Sequence, residues 1–388
     1  MDDHSLFLLE FDRVTAAIAG HAACGPARAR LEGWRPIVDR ARRERECRDL
    51  AEAIRRTTEP GDWCQVGEID LVALLDGVLE QPLEGVDLIA VRSWLEAGRA
   101  TRDGWKDPAA ATRHPGLAAR AEALPPLEAL RRKLTESLEP DGRVSDAASP
   151  ALKRSRADLA HGERALEQRV ADWARSFGEN AYVTRHADRF VALVPAAGFS
   201  RRRGIVHDVS GSGQSLFVEP LEACEANNHL MELRAGVLEE ERRVLRELAA
   251  LTWNHAEELK RLADGLVTLD TLRARARWAR EVGAIALAPA GERLRLCGAR
   301  HPLLAMARDR DVVPLDLELS KGAKLVLVSG PNMGGKTVML KTVGLAVALA
   351  QAALPVAAGE GSELPEIDRI VVDLGDEQSV DQGLSTFA

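Results

Sequence analysis

Aromatic residues are scarce, at 4% of the chain with one tyrosine, Tyr182. Proteins built from β-sheet draw on aromatic and β-branched residues, so this scarcity, beside abundant Ala, Leu, Arg and Glu, favours a mainly helical chain. An excess of positive charge is also missing. The formal net charge is −8, which excludes a globally basic nucleic-acid coat and leaves any polyanion contact to a local patch. Cys24, Cys47, Cys64, Cys224 and Cys297 are scattered and form no C-x-x-C pair. A disulfide framework or zinc site is therefore disfavoured, and a reducing compartment fits. The opening Met-Asp-Asp-His leads into no basic stretch followed by an apolar core, and no apolar run reaches the length of a membrane span. The expectation is a cytoplasmic protein with no membrane partner.

What is present begins with length. At 388 residues, 46% apolar and 29% charged, the chain should hold roughly two to four soluble domains. Residues 1–148 read as a helical core. Phe11, Val14 and Ile18 share one helical face, and that run stops near Gly20 and Gly25. Pro60, Pro82, Pro108, Pro115, Pro125 and Pro126 cut the rest into short helices. No catalytic constellation stands out there.

From Ser149 the texture changes. Ser149-Pro150 is an N-cap followed by proline at the first helical position. Leu152, Leu159, Leu166 and Trp173 then recur every seven residues along a helix expected over 149–179. A second proline-free stretch, 221–283, repeats the pattern with Leu230, Leu233 and Val237, then Leu259, Leu262, Leu266 and Leu269. Unbroken, it would span roughly 90 Å. The two helices read as an antiparallel stalk, and the same pattern also suits ordinary amphipathic helices in a bundle. Between them, 180–220 is a β-rich insert with runs at Tyr182–Thr184, Phe190–Val194 and Leu216–Val218. After Gly283 the pattern turns α/β, with strand-like runs at Leu294–Leu296, Val312–Leu315, Leu325–Val328 and Ile370–Val372. That order predicts the opening of a doubly wound parallel sheet.

One motif carries chemistry. Gly330-Pro331-Asn332-Met333-Gly334-Gly335-Lys336-Thr337 matches G-x-x-x-x-G-K-S/T in full, between an apolar run and a helical pattern. Its glycines let backbone N–H groups wrap phosphate oxygens, and the helix N-terminus favours negative charge. Lys336 is expected on the β- and γ-phosphates of ATP, with the Thr337 hydroxyl on Mg²⁺.

The surrounding residues say more. Ser329-Gly-Pro-Asn-Met-Gly-Gly-Lys-Thr resembles the Walker A segment of MutS-type ATPases. Asp376-Glu-Gln-Ser-Val and Leu384-Ser385-Thr386-Phe387 resemble that family's signature segment, and Arg300-His301-Pro302 resembles its Arg-His-Pro element. The insert Gly204-Ile-Val-His-Asp208, continuing through Gly211-Ser-Gly-Gln-Ser-Leu-Phe-Val-Glu-Pro220, is similar to the second bacterial subfamily, MutS-II. The resemblance covers essentially the whole chain. It implies a mainly α, multidomain protein: helical core 1–148, lever helices 149–179 and 221–283, a clamp insert 180–220, and the N-terminal part of an ABC-like P-loop ATPase domain over 284–388. It further implies a homodimeric ATPase in which Ser385 completes the partner's nucleotide site, and a clamp on double-stranded or branched DNA. Full-length members are tied to recombination control and to ribosome rescue, so rRNA is a second candidate partner, and they carry a C-terminal Smr nuclease domain.

Some features depart from that pattern. No N-terminal mismatch-reading domain precedes the helical core. Phe217-Val-Glu219 reads as a strand residue and a surface acid rather than a base wedge, which disfavours mismatch recognition. Ile370–Val372 ends in Asp373, but Leu374-Gly375 follow where a hydrolytic site would place glutamate. Asp373 is thus read mainly as a strand-end residue, and the chain as stopping partway through its ATPase domain, without turnover of its own. Arg201, Arg202 and Arg203, with Arg185 and Arg189 nearby, are the candidates for nucleic-acid phosphates, although a solvated loop explains three consecutive arginines as well. His207 and Asp208 read as turn residues.

Overall fold

In the computed structural model, residues 2–67, 70–77, 83–307, 312–319, 322, 325–331 and 334–373 are described. Short helices come first: α1 (Asp3–Leu8), α2 (Phe11–Ala19), α3 (Gly25–Glu32), α4 (Arg40–Arg56) and α5 (Leu71–Gly77). They continue with α6 (Gly85–Gly104), α7 (Pro108–Arg113), α8 (Pro115–Glu122) and α9 (Glu128–Ser137). Then follow α10 (Pro150–Arg175), β1 (Tyr182–His186), β2 (Arg189–Pro195), β3 (Gly204–Val209), β4 (Ser215–Pro220) and α11 (Cys224–Asn254). The last are α12 (Ala256–Val282), β5 (Leu294–Ala299), α13 (Pro302–Met306), β6 (Leu315–Leu319) and α14 (Lys336–Gln351). Among the described residues no helix is long and apolar enough to cross a membrane.

The chain divides into two compact units. One comprises Met1–Leu79, Ala90–Glu128 and His255–Ala388; the other comprises Glu80–Ile89 and Ala129–Asn254.

The first unit is built around α12. Leu259, Leu262, Leu266, Leu269 and Leu272 are all buried, and α2, α3, α4, α5, α8 and α13 pack on it. Three of its charged residues, Asp270, Arg273 and Arg275, are buried, and each is paired. Asp270 accepts hydrogen bonds from the Ala23 and Cys24 amides at 2.9 and 3.0 Å, satisfying free N–H groups at the start of α3. Arg273 reaches Asp270 at 2.7 Å and both oxygens of Asp62 at 2.9 Å. Arg275 lies over the Trp34 ring at 4.6 Å and bonds Glu46 at 2.8 Å. The far end of α14 is anchored in the same unit. Ile37 N donates to the Gln351 carbonyl at 2.8 Å, Trp34 Nε1 to that of Ala352 at 2.8 Å, and Arg275 to that of Ala353 at 3.2 Å. These donors satisfy carbonyls that a helix leaves open at its C-terminal end.

The second unit pairs α10 with α11. Ser149 caps α10, accepting from the Ala151 and Leu152 amides, and its hydroxyl donates to Glu240 at 2.6 Å. Further along, Arg234 meets Glu163 at 2.7 Å, so the helices run antiparallel. A Cβ built on Gly162 would lie 2.8 Å from Leu230 Cδ2, so the missing side chain is what admits Leu230. The four strands form an antiparallel sheet in the order β1-β2-β4-β3. Phe190, Ala192, Val194 and Val218 face Leu166, Val170 and Ala174 of α10 and Leu230 of α11 in one core.

Several expectations are corrected. The stretch 221–283 is not one helix: it breaks at His255, and the leucines after the break are buried in the first unit. His255 leaves helical geometry, with Nδ1 2.5 Å from Glu258, three residues on. The parallel sheet does not appear among the described residues. β5 pairs antiparallel with β6, and 325–328 and 370–372 lie in no strand. A strand exists only through a hydrogen-bonded neighbour, and Leu325 and Leu327 are each 87% exposed. β6 starts at Leu315 rather than Val312, after Pro314, which has no N–H for a ladder.

Candidate nucleotide loop and arginine cluster

The phosphate-type loop leads directly into α14. Gly335 adopts the left-handed region (φ 79°) before Lys336 opens the helix, and a Cβ there would meet nothing within 4 Å. Gly334 N bonds the Pro331 carbonyl at 3.2 Å. Lys336 Nζ turns back on the loop, donating to the carbonyls of Gly330 at 2.5 Å and Pro331 at 2.9 Å. Thr337 is half-buried on the first turn. Lysine, hydroxyl, free helix-terminal amides and an open glycine cradle make a donor set that fits phosphate oxygens and a hard cation. Asn332, Met333, Glu377 and Ser385 lie outside the described residues. Asp373 is exposed. Among the described residues no group of three or more His, Cys, Asp or Glu is placed to hold a metal ion.

One turn below Thr337 the helix carries a buried charge that sequence reading missed. Lys341 Nζ and His301 Nε2 each lie 3.8 Å from Glu10 Oε2, while Arg13 bonds Glu10 Oε1 at 2.7 Å. Glu10 holds left-handed backbone (φ 60°) between α1 and α2. Burial lowers the Lys341 pKa, and Glu10 opposes that shift. The Arg-His-Pro element thus supplies His301 to a cluster that pins α14 against α2. Apart from Arg13, nothing local in the sequence marks Glu10, because His301 and Lys341 come from distant parts of the chain.

In the second unit the arginines are not one patch. Arg203 donates to Ser176 at 2.9 Å, with its guanidinium 4.2 Å from the Phe177 ring and 5.4 Å from that of Trp173. Arg185 lies over Phe190 at 4.7 Å and pairs with Glu163 at 3.3 Å. Arg189 pairs with Glu219 at 2.7 Å. Arg201 and Arg202 are exposed and make no ion pair among the described residues.

Glu219 is not the surface acid expected. It is 1% exposed and accepts from Arg189 at 2.7 Å and Asn227 at 2.9 Å, with His207 Nε2 at 2.6 Å. Burial alone would raise its pKa; the hydrogen bonds from His207, Arg189 and Asn227 outweigh that and leave it lowered. His207 and Asp208 are strand rather than turn residues. They sit at an irregularity of β3, where the register with β4 shifts between Val206 and Asp208.

Over its whole length the chain is similar to proteins named endonuclease MutS2. It is 38% identical over 406 residues to the one from Thermomicrobium roseum, covering 100% of this chain and 51% of that protein. It is 36% identical over 399 residues to that of Solidesulfovibrio magneticus, covering 100% and 51%. Against that of Bacillus velezensis it is 34% identical over 403 residues, covering 100% and 50%. No protein-family model matches the chain. It spans about half the length of the curated relatives it matches. The similarity to MutS2 proteins thus takes in this whole chain, including the glycine-lysine-threonine run at the head of α14.

Proposed function

We propose that this chain is the core, levers, clamp tip and leading ATPase segment of a MutS-II-type, ATP-gated nucleic-acid clamp, working as a homodimer. One observation carries the proposal: an intact G-x-x-x-x-G-K-T loop opens α14 in a chain that matches MutS2 proteins throughout. The α14 amides and Lys336 would hold the triphosphate, and Thr337 would complete the shell of Mg²⁺. To reach the phosphates, the Lys336 ammonium would have to leave the Gly330 and Pro331 carbonyls that it bonds in this structure. The α10–α11 pair serves as the lever, and Arg201 and Arg202 are the cations left for phosphates of branched or double-stranded DNA. The same cations suit rRNA, and the endonuclease activity in the relatives' name belongs to a nuclease domain of the whole protein.

Calorimetry with MgATP tests the nucleotide site. The wild-type chain should bind weakly, because the 325–328 segment has no strand beside it, and Lys336→Ala should bind at least about tenfold more weakly. Equal affinities would remove the site. For the clamp, Arg201→Ala with Arg202→Ala should flatten the slope of log K against log salt by about 1.8, two phosphates' worth. An unchanged slope would move the contact elsewhere, and preference for ribosomes over duplex in co-sedimentation would name RNA as the target.

A further inference from the structure

The four-stranded sheet covers a core with one face only, and its other face carries rings. Alternation along the strands puts Phe190, Ala192, Val194 and Val218 toward the helices and Tyr182, His186, Leu193 and Phe217 on the opposite face. Tyr182, Leu193 and Phe217 stand side by side across β1, β2 and β4 in one cross-strand row. His186 stacks on Phe217, with centroids 5.3 Å apart and planes 28° apart. His207, brought round by the irregularity of β3, lies 6.1 Å from His186.

These rings are held at the surface. Tyr182 is 56% exposed and His207 25%, while Val191 and Glu219 beneath them are buried. The buried Glu219 carboxylate accepts a hydrogen bond from His207 Nε2, which fixes that imidazole and leaves Nδ1 for a polar contact outside. A carboxylate buried beneath an exposed imidazole orients a ring without adding apolar core. The Gly204–Pro220 motif, so far only a mark of resemblance, therefore builds one side of a ring ledge.

We propose that this open sheet face binds unpaired bases of single-stranded nucleic acid by stacking. The inference rests on the clamp reading and goes beyond it, because phosphate contact with a duplex uses charge alone, whereas this face offers flat π-surfaces that only unstacked bases can reach. The exposed Arg201 and Arg202 in the loop entering β3 supply the cations that suit a polyanionic ligand.

Fluorescence anisotropy with the full chain tests this. The probes are a labelled thymidine strand of about 20 nucleotides, an abasic strand of equal length and charge, and a matched duplex. The thymidine strand should bind about tenfold more tightly than the abasic one. The Tyr182→Ala, His186→Ala double variant should erase that advantage and change duplex affinity less than about twofold, whereas Tyr182→Phe should keep it. Equal binding of base-bearing and abasic strands, with the duplex bound, overturns the stacking site alone. Failure to bind either strand or duplex overturns it together with the clamp. Should the double variant instead lose self-association in sedimentation, the face belongs to a second copy and the proposal fails.

Discussion

Replacing Glu219 with glutamine isolates a charge buried at the root of the sheet. Gln keeps the acceptor used by Arg189 and Asn227 but removes the charge opposite Arg189 and presents an N–H to His207. Removing one partner of a buried ion pair costs about 3–5 kcal/mol. Arg189 is 24% exposed, so water recovers part of that, and about 2–3 kcal/mol remains. Because the network ties β2, β3 and β4 to the start of α11 through Asn227 and Phe190, the loss should appear as local opening. Hydrogen exchange measured by mass spectrometry should speed up about 30- to 160-fold in peptides from 189–220, and stay unchanged in peptides from α12. The pH dependence follows from the lowered carboxyl pKa. A depressed folded pKa stabilises fully above the unfolded value of about 4.3 and is lost as pH falls through the lower folded value. The gap between wild type and Glu219→Gln should be constant from about pH 7 to 5 and close below about pH 4. A gap that widens in acid, or exchange indifferent to the substitution, would refute the account of Glu219 as a charged anchor.

Asp270→Ala in the first unit leaves the Ala23 and Cys24 amides unpaired and Arg273 with Asp62 as its remaining carboxylate, and should lower stability in urea by about 2–3 kcal/mol; less than about 1 kcal/mol would show that water already reaches the site. Burial pushes the Cys24 thiol up to about 12 and that of Cys47 to about 11, and raises Cys64 as well. Native protein at about pH 8 should therefore resist alkylation at these three, with Cys297, half-buried, reacting ahead of them and all five reacting in urea. Phosphate release from ATP by residues 1–388 should stay at the level of the Lys336→Ala control, because Asp373 is exposed and followed by Leu374 and Gly375; lysine-dependent multiple turnover would assign Asp373 or Glu377 a role.

Sequence alone determined what depends on near neighbours. Ser149-Pro150 starts α10 because a hydroxyl cap and a missing N–H act within one turn. Phe11, Val14 and Ile18 mark α2 because they share a face, and the glycine-lysine-threonine run places the head of α14. Short β-branched and apolar runs located β1, β2 and β4, but β3 escaped because its irregularity at His207 breaks the alternation. Tertiary structure decided what depends on distant partners. The leucine spacing in 259–269 is the same whether it faces α10 or the first unit's core, and only packing shows that it faces the core. Apolar residues at 325–328 make a strand only beside another strand. Glu219 reads as a surface acid until Arg189, His207 and Asn227 converge on it, and Glu10 carries no mark until Lys341 and His301 reach it. Burial of a charge is a property of its partners, and those partners come from elements far apart in the chain.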